Sequence, residues 1–229
     1  MNNKLLKSAL TVVLAVTVLL CAGCSKNESI TSSNQIIGSG RLVSVPRIVG
    51  TFVGIRVTNF AKVFVVQDSI QSLTIEADDN IIGRVLTSIE NDVLVLGLEN
   101  GSYSNITLNV HASMRTIRLL ESVGAVDLQT TSPIHVDTIV CRITGAGSVS
   151  IAGTAVREIV EIVGAGSIHN FDLISPHCFA SISGTGDIDV NLTQQLDAFI
   201  SGAGTITYDG HPQVVHQTVT GVGSVRPRQ

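Results

Sequence analysis

The second half of the chain repeats a Gly-x-Gly turn at almost constant spacing. Five complete copies have first glycines that follow one another at 18 to 20 residues; they occupy residues 145–147, 164–166, 184–186, 202–204 and 221–223. A degenerate copy that keeps only Gly124 precedes them. Self-similarity at this period indicates short structural repeats that stack on one another.

The residues on both sides of each turn alternate between apolar and small polar side chains. Two positions before the first glycine, every copy has an apolar residue: Ile143, Ile162, Ile182, Ile200 and Val219. Two positions after the second glycine, every copy again has one: Val149, Ile168, Ile188, Ile206 and Val225. A period of two predicts a strand with one buried face on each side of the turn. The glycines suit a sharp corner and a close approach of neighbouring backbones.

These features predict an all-β fold, a parallel β-helix or β-solenoid that we expect to be right-handed. Each coil would contain a strand, a corner, a second strand and a short return, with coils about 4.8 Å apart. The glycines disfavour a helical repeat. Strand-like segments of the first half are expected to start and cap the solenoid, with one short helical turn over 81–86; these strands are 51–58, 61–67, 73–77, 93–98, 106–110 and 116–120.

The start of the chain has the layout of an export signal. Lys4 and Lys7 precede an apolar run over residues 10–20, which is shorter than the roughly 20 residues that a membrane span needs. Residues 21–24, Cys-Ala-Gly-Cys, resemble the lipobox of bacterial lipoproteins, although Cys21 stands where that motif usually has Leu. The resemblance implies cleavage after residue 23 and a lipid anchor on Cys24. An ordinary signal peptide cut nearby, or an uncleaved anchor, is the alternative.

The chain therefore divides into a signal peptide at 1–23, a lipid-anchored flexible tether at 24–44 and one solenoid domain at 45–229. Two of the 14 basic residues fall in the signal peptide, so the remainder has 12 basic against 18 acidic residues. This negative balance argues against a nucleic-acid partner. Ser25, directly after Cys24, is similar to the residue found there in lipoproteins of the Gram-negative outer membrane. We expect an exported protein that is lipid-anchored in the cell envelope, at the outer membrane.

Two cysteines, Cys141 and Cys178, remain in the predicted domain. Export permits a disulfide. Both cysteines have inward parity, but they lie two coils apart, a separation of roughly 9–10 Å. A disulfide needs Cα atoms within about 7 Å, so we expect two buried free thiols.

The mature chain resembles the GIN domain, the head domain of an auto-transporter adhesin family. The resemblance depends on the order of several segments: residues 50–57, 74–82, the serial Gly-x-Gly turns, and 204–212. It implies a β-helical, envelope-associated protein, often a lipoprotein, with no catalytic residues to carry over.

Stacking brings equivalent residues of successive coils together, so each column can be searched for chemistry. His169 and Asp189 would be neighbours on consecutive coils, with Asp187 on the same strand face as Asp189. They form the candidate surface site, and a carbohydrate-active enzyme, a lyase or hydrolase, is the alternative function. The six histidines have no ligand spacing, and a strand rather than a helix follows each Gly-x-Gly, so we predict no metal site and no cofactor.

Ser and Thr side chains flank the glycines on the outward face. Such a regular polar ladder can bind a glycan, a matrix polymer or an envelope protein through many weak contacts. We therefore expect a non-catalytic, adhesin-like binding or structural role, with the membrane as a further partner through the lipid anchor. A scaffold component of the envelope that faces the periplasm is the third hypothesis.

Overall fold

A computed structural model describes residues 35–229. The expected signal peptide, Cys24 and residues 25–34 of the expected tether lie outside the described residues. The regular secondary structure of the described part consists of strands and one 3₁₀ turn. The elements are β1 (Ile36–Ile37), β2 (Leu42–Pro46), β3 (Gly54–Val57), β4 (Phe60–Gln67), β5 (Ser72–Asp78), η1 (Ile82–Arg84), β6 (Val85–Glu90), β7 (Val93–Leu98), β8 (Tyr103–Ser104), β9 (Leu108–Met114), β10 (Leu119–Ser122), β11 (Ala125–Thr130), β12 (Ile134–Ile143), β13 (Ala146–Ser150), β14 (Gly153–Ile162), β15 (Ala165–Ile182), β16 (Thr185–Ile200), β17 (Ala203–Asp209), β18 (Val214–Val219) and β19 (Val222–Pro227).

Parallel pairing between successive coils confirms the predicted β-solenoid. Strands that precede a corner stack in the order β7, β3, β10, β12, β14, the end of β15, the end of β16 and β18. Strands that follow a corner stack in the order β9, β4, β11, β13, the start of β15, the start of β16, β17 and β19. The two stacks form two outer faces, which we call the pre-corner face and the post-corner face.

The glycines are required because the corners of successive coils touch through their backbones. A Cβ atom on Gly184 would overlap the carbonyl oxygens of Gly164 and Val163. A Cβ on Gly186 would overlap the carbonyl oxygen of Gly166, and φ at Gly186 is +152°, a value that L side chains rarely adopt. Each corner therefore needs glycine twice, chiefly for the close approach that the repeat spacing predicted.

The inward columns form one apolar core along the stack. Ile143, Ile162, Ile182 and Ile200 are at most 1% exposed, and Val149, Ile168, Ile188 and Ile206 of the other column are fully buried. Burying a side chain of this size contributes about 2 kcal/mol before entropy is counted, so the apolar columns stabilise the stacking of the coils.

The first half caps the stack with antiparallel strands. β5 pairs antiparallel with both β9 and β2, and β6 pairs antiparallel with β7. The expected tether over 24–44 is too long. β1 lies within it and β2 begins within it, and these strands pair with β8 and β5 respectively. The helical turn expected over 81–86 is only the 3₁₀ turn Ile82–Arg84, since Val85 already starts strand β6.

The opposite end of the stack is the outermost coil, β18 and β19. In the described chain each of these strands pairs on one side only, with β16 and β17 respectively. Val219, which continues the column of Ile200, is 41% exposed. We expect amide hydrogens of β18 and β19 to exchange on the order of 100-fold faster than those of β14 and the start of β16. Hydrogen exchange with mass spectrometry measures this, and equal protection of both regions would contradict it.

Candidate functional site

The structure brings His169 and Asp189 together on the post-corner face. They are register partners on β15 and β16, and His169 Nδ1 lies 3.0 Å from Asp189 Oδ2. The His169 side chain is 54% exposed and that of Asp189 is 21% exposed. Asp187 does not join them, because its Oδ1 accepts a hydrogen bond of 3.0 Å from the backbone N–H of Thr205. The candidate site is thus one open imidazole–carboxylate pair.

This pair does not have the geometry that glycoside hydrolysis uses, since that chemistry needs two carboxyl groups that flank the bond to be cleaved. A second, equivalent pair lies on the pre-corner face, where His216 Nδ1 is 2.9 Å from Asp197 Oδ1. Repetition of the same contact on another face is typical of cross-strand pairing between exposed polar side chains.

Asp189→Asn should therefore change the free energy of unfolding by less than about 1 kcal/mol, because polar pairs that water can reach contribute little. Urea denaturation measures this change. Asp197→Asn is the matched control at the other exposed pair. A loss of several kcal/mol that is confined to Asp189→Asn would show that this pair has a role beyond surface pairing.

A ladder of alternating charges crosses the pre-corner face. Arg56 Nε donates to Glu121 Oε2 at 2.7 Å, and Arg142 lies 3.8 Å from Glu121 and 2.6 Å from Glu161. The three side chains Arg56, Glu121 and Arg142 come from consecutive coils. Sequence reasoning missed this ladder, although Glu121, Arg142 and Glu161 each stand three positions before the first glycine of a repeat copy and so share one outward column. Because its arginines and glutamates pair with one another, we interpret the ladder as a structural network.

Glu158 is the most unusual group in the structure, since it points into the apolar core. Its side chain lies in the column between Ile139 and Cys178 and is fully buried. Asn170 Nδ2 donates to Glu158 Oε1 at 2.7 Å, and Asn170 Oδ1 accepts from the backbone N–H of Ile151 at 3.1 Å. In the described part of the chain, Glu158 Oε2 and the Ser175 hydroxyl have no hydrogen-bond partner.

Burial raises the pKa of Glu158 to about 8, against the weaker opposing effects of the Asn170 hydrogen bond and of the nearby Cys178 and Ser175 groups. The carboxyl is therefore mostly protonated at neutral pH. The alternation along β14 could have revealed the inward position of Glu158, because residues 158, 160 and 162 share the inward face.

Cys141 and Cys178 are buried free thiols, and burial raises the pKa of both. Their positions differ by two residues as well as two coils, which adds to the expected separation.

Three adjoining hollows follow β4 along the post-corner face, and together we call them the β4 groove. The first, of about 390 Å³, includes Lys62 and Asp127 in its lining. The second, of about 350 Å³, shares those two side chains and adds Phe64 and Gln129. The third, of about 220 Å³, shares Phe64 and adds His111. The sequence search did not find the groove, because it joins first-half strands to Ser148 of the repeat, and the search compared only the repeat copies with one another.

One protein-family profile matches residues 51–212; the family is described as "putative auto-transporter adhesin, head GIN domain". The match covers most of the chain. The protein belongs to the GIN-domain family. None of the curated proteins compared with the sequence matches it.

Solved structures share the fold of this GIN domain. A "putative adhesin" from Bacteroides fragilis NCTC 9343 has a TM-score of 0.70 and 22% identity, over 84% of this chain and 100% of that chain. A "putative adhesin" from Parabacteroides distasonis ATCC 8503 has a TM-score of 0.53 and 22% identity, over 85% and 100% of the two chains. A "putative lipid binding protein" from the same strain has a TM-score of 0.53 and 20% identity, over the same shares.

Two further observations concern the described part of this GIN domain. Residues 35–229 contain no helix of the length and apolar character that crossing a membrane requires. Within the same residues, no three or more His, Cys, Asp or Glu side chains are grouped so as to hold a metal ion.

Proposed function

We propose that this GIN-domain protein is a lipid-anchored, adhesin-like protein of the cell envelope, which binds a surface or matrix component without catalysis. The observation that carries the proposal is the match to the adhesin-head family over residues 51–212. The outer faces agree with such a role, because they present regular polar ladders and a long open groove, on which a polymer can make many weak contacts.

Export and anchoring are the parts of the proposal that depend on the first 24 residues. The basic start, the short apolar run and the small residues before Cys24 support them. Cys24→Ser should abolish incorporation of radiolabelled palmitate and release the domain from the membrane fraction. Retention of the label in Cys24→Ser would contradict lipidation at this residue.

Protease shaving of intact cells tests whether the domain faces outward. An epitope tag between residues 30 and 31 precedes the first described strand, so its insertion does not interrupt the sheet. We expect protease to remove the tag while a periplasmic control protein survives, and cells that express the protein to adhere to matrix-coated plates. If the tag is protected until the envelope is opened, the adhesin proposal fails, and a periplasm-facing scaffold becomes the better hypothesis.

A carbohydrate-active enzyme is the second candidate function, and it depends only on the His169–Asp189 pair. A lyase or hydrolase would have to lose its turnover of a polysaccharide when both side chains are changed. Activity that survives His169→Ala combined with Asp189→Asn would eliminate this candidate.

A further inference from the structure

We propose that the β4 groove is a binding site for an uncharged or N-acetylated oligosaccharide chain that runs parallel to strand β4. This inference depends on the proposed adhesin-like function and names the class of ligand. Its walls come from β4, β5, β9, β11 and β13, so it joins first-half strands to the start of the repeat, a combination that the repeat spacing does not predict.

The dimensions of the groove fit a chain ligand. The three hollows follow successive outward positions of β4, around Lys62, between Lys62 and Phe64, and beyond Phe64. Alternate residues of a strand are about 6.7 Å apart, which is the scale of one sugar residue. Each of the first two hollows has a volume within the usual range for a small-molecule site. The arrangement therefore offers at least three consecutive subsites.

The first and second hollows share two side chains of opposite charge, Lys62 and Asp127. Lys62 and Asp127 are register partners on β4 and β11, yet they form no ion pair with each other in the described chain. Asp127 Oδ1 accepts a hydrogen bond of 2.8 Å from the Ser148 hydroxyl. The Lys62 ammonium can donate hydrogen bonds to sugar hydroxyls, and the Asp127 carboxylate can accept hydrogen bonds from them.

The second and third hollows share an aromatic wall. The rings of Phe64 and His111 stack with their centroids 4.9 Å apart and their planes 12° apart. This stacking restrains the Phe64 ring before any ligand binds, which lowers the entropy cost of binding. An apolar ring beside hydroxyl-binding groups matches a sugar, whose C–H face is apolar and whose edge is polar. The balance of one cation and one anion favours an uncharged chain over a polyanion.

The test measures binding of the purified full chain to defined oligosaccharides by isothermal titration calorimetry. The probes are hexamers of N-acetylglucosamine, β-linked glucose and mannose, with heparin as a polyanion and soluble collagen as a protein. We expect at least one neutral hexamer to bind, and Phe64→Ala to weaken that binding about tenfold, equivalent to about 1.4 kcal/mol. Lys62→Met, at an exposed position, should weaken it without affecting folding.

Phe179→Ala is the matched control, because Phe179 also belongs to an exposed aromatic pair, with the Phe199 ring centroid at 5.3 Å, but on the other face. It should bind like the unaltered chain. The proposal is overturned if no neutral hexamer binds at about 1 mM, if only heparin or collagen binds, or if Phe64→Ala and Lys62→Met bind as the unaltered chain does. In each of these cases the adhesin-like function is retained if the cells still adhere and surface protease still removes the tag. Only the assignment of the ligand then fails.

Discussion

Gly184→Ala should lower the free energy of unfolding by about 3 kcal/mol or more, because overpacking against backbone cannot be relieved by a rotamer change. The added Cβ would overlap the carbonyl oxygens of Gly164 and Val163 on the preceding coil. To relieve the overlap the two corners must separate. That movement lengthens the 2.9 Å hydrogen bond that the Thr185 N–H donates to Gly164 O.

The loss should be visible as a lower midpoint of urea unfolding with an unchanged slope. Gly83→Ala is the matched control, since a Cβ on Gly83 would meet nothing within 4 Å and its backbone is not in the left-handed region. That control should remain within about 0.5 kcal/mol of the unaltered chain. Equal stability of the Gly184 and Gly83 variants would mean that the corners do not touch as the structure has them.

The second large effect is a loss of stability as the pH rises, which comes from Glu158. Its pKa is raised from 4.5 to about 8 in the folded chain. A raised pKa means that the folded state holds the proton more tightly than the unfolded state does. The stabilisation is therefore complete below about pH 4.5, falls as the pH rises, and is lost above about pH 8. Over this range the loss is on the order of 4 to 5 kcal/mol.

Glu158→Gln isolates this contribution, because all other titrating groups are shared with the unaltered chain. The glutamine side chain keeps an oxygen that can accept the hydrogen bond from Asn170 but has no proton to lose. Urea unfolding at a series of pH values from 5 to 9 should give a difference between the two proteins that grows by up to about 1.4 kcal/mol per pH unit. Above pH 8 the variant should be the more stable protein.

Glu161→Gln is the control for the pH experiment. Glu161 lies three positions further along β14, but it is paired with Arg142 at 2.6 Å on the outer face rather than buried in the core. Its replacement should leave the pH slope of stability nearly unchanged. If Glu158→Gln and Glu161→Gln give the same slope as the unaltered chain, the carboxyl of Glu158 is not held in a dry core.

The comparison between sequence and structure differs between the two halves of the chain. In the second half, the inward positions predicted from alternation around Ile162 and Ile168 are buried, and His169 meets Asp189 as the column count predicted. In the first half, β3, β4, β5, β7 and β9 overlap predicted strands, but β2 begins in the expected tether and β6 begins in the expected helical turn. β2, β5 and β6 pair antiparallel, and no local pattern specified with which strand or in which direction.

The sequence alone determined the coil and its corner. A strict period of two beside a repeated glycine pair allows one arrangement of backbone per coil, and copies of that arrangement can stack only in register. That period also specifies that Glu158 points inward. It does not specify the raised pKa that results from this position.

Only the tertiary structure decided what lies between coils and at the end of the stack. The pKa of Glu158 depends on its burial, on Asn170 from the second strand of the same coil, and on Ser175 and Cys178 from the next coil. The β4 groove combines Lys62 with Asp127 across 65 residues of sequence. Such contacts depend on which strands become neighbours, and that choice is made by the packing of whole coils rather than by the residues on either side of each group.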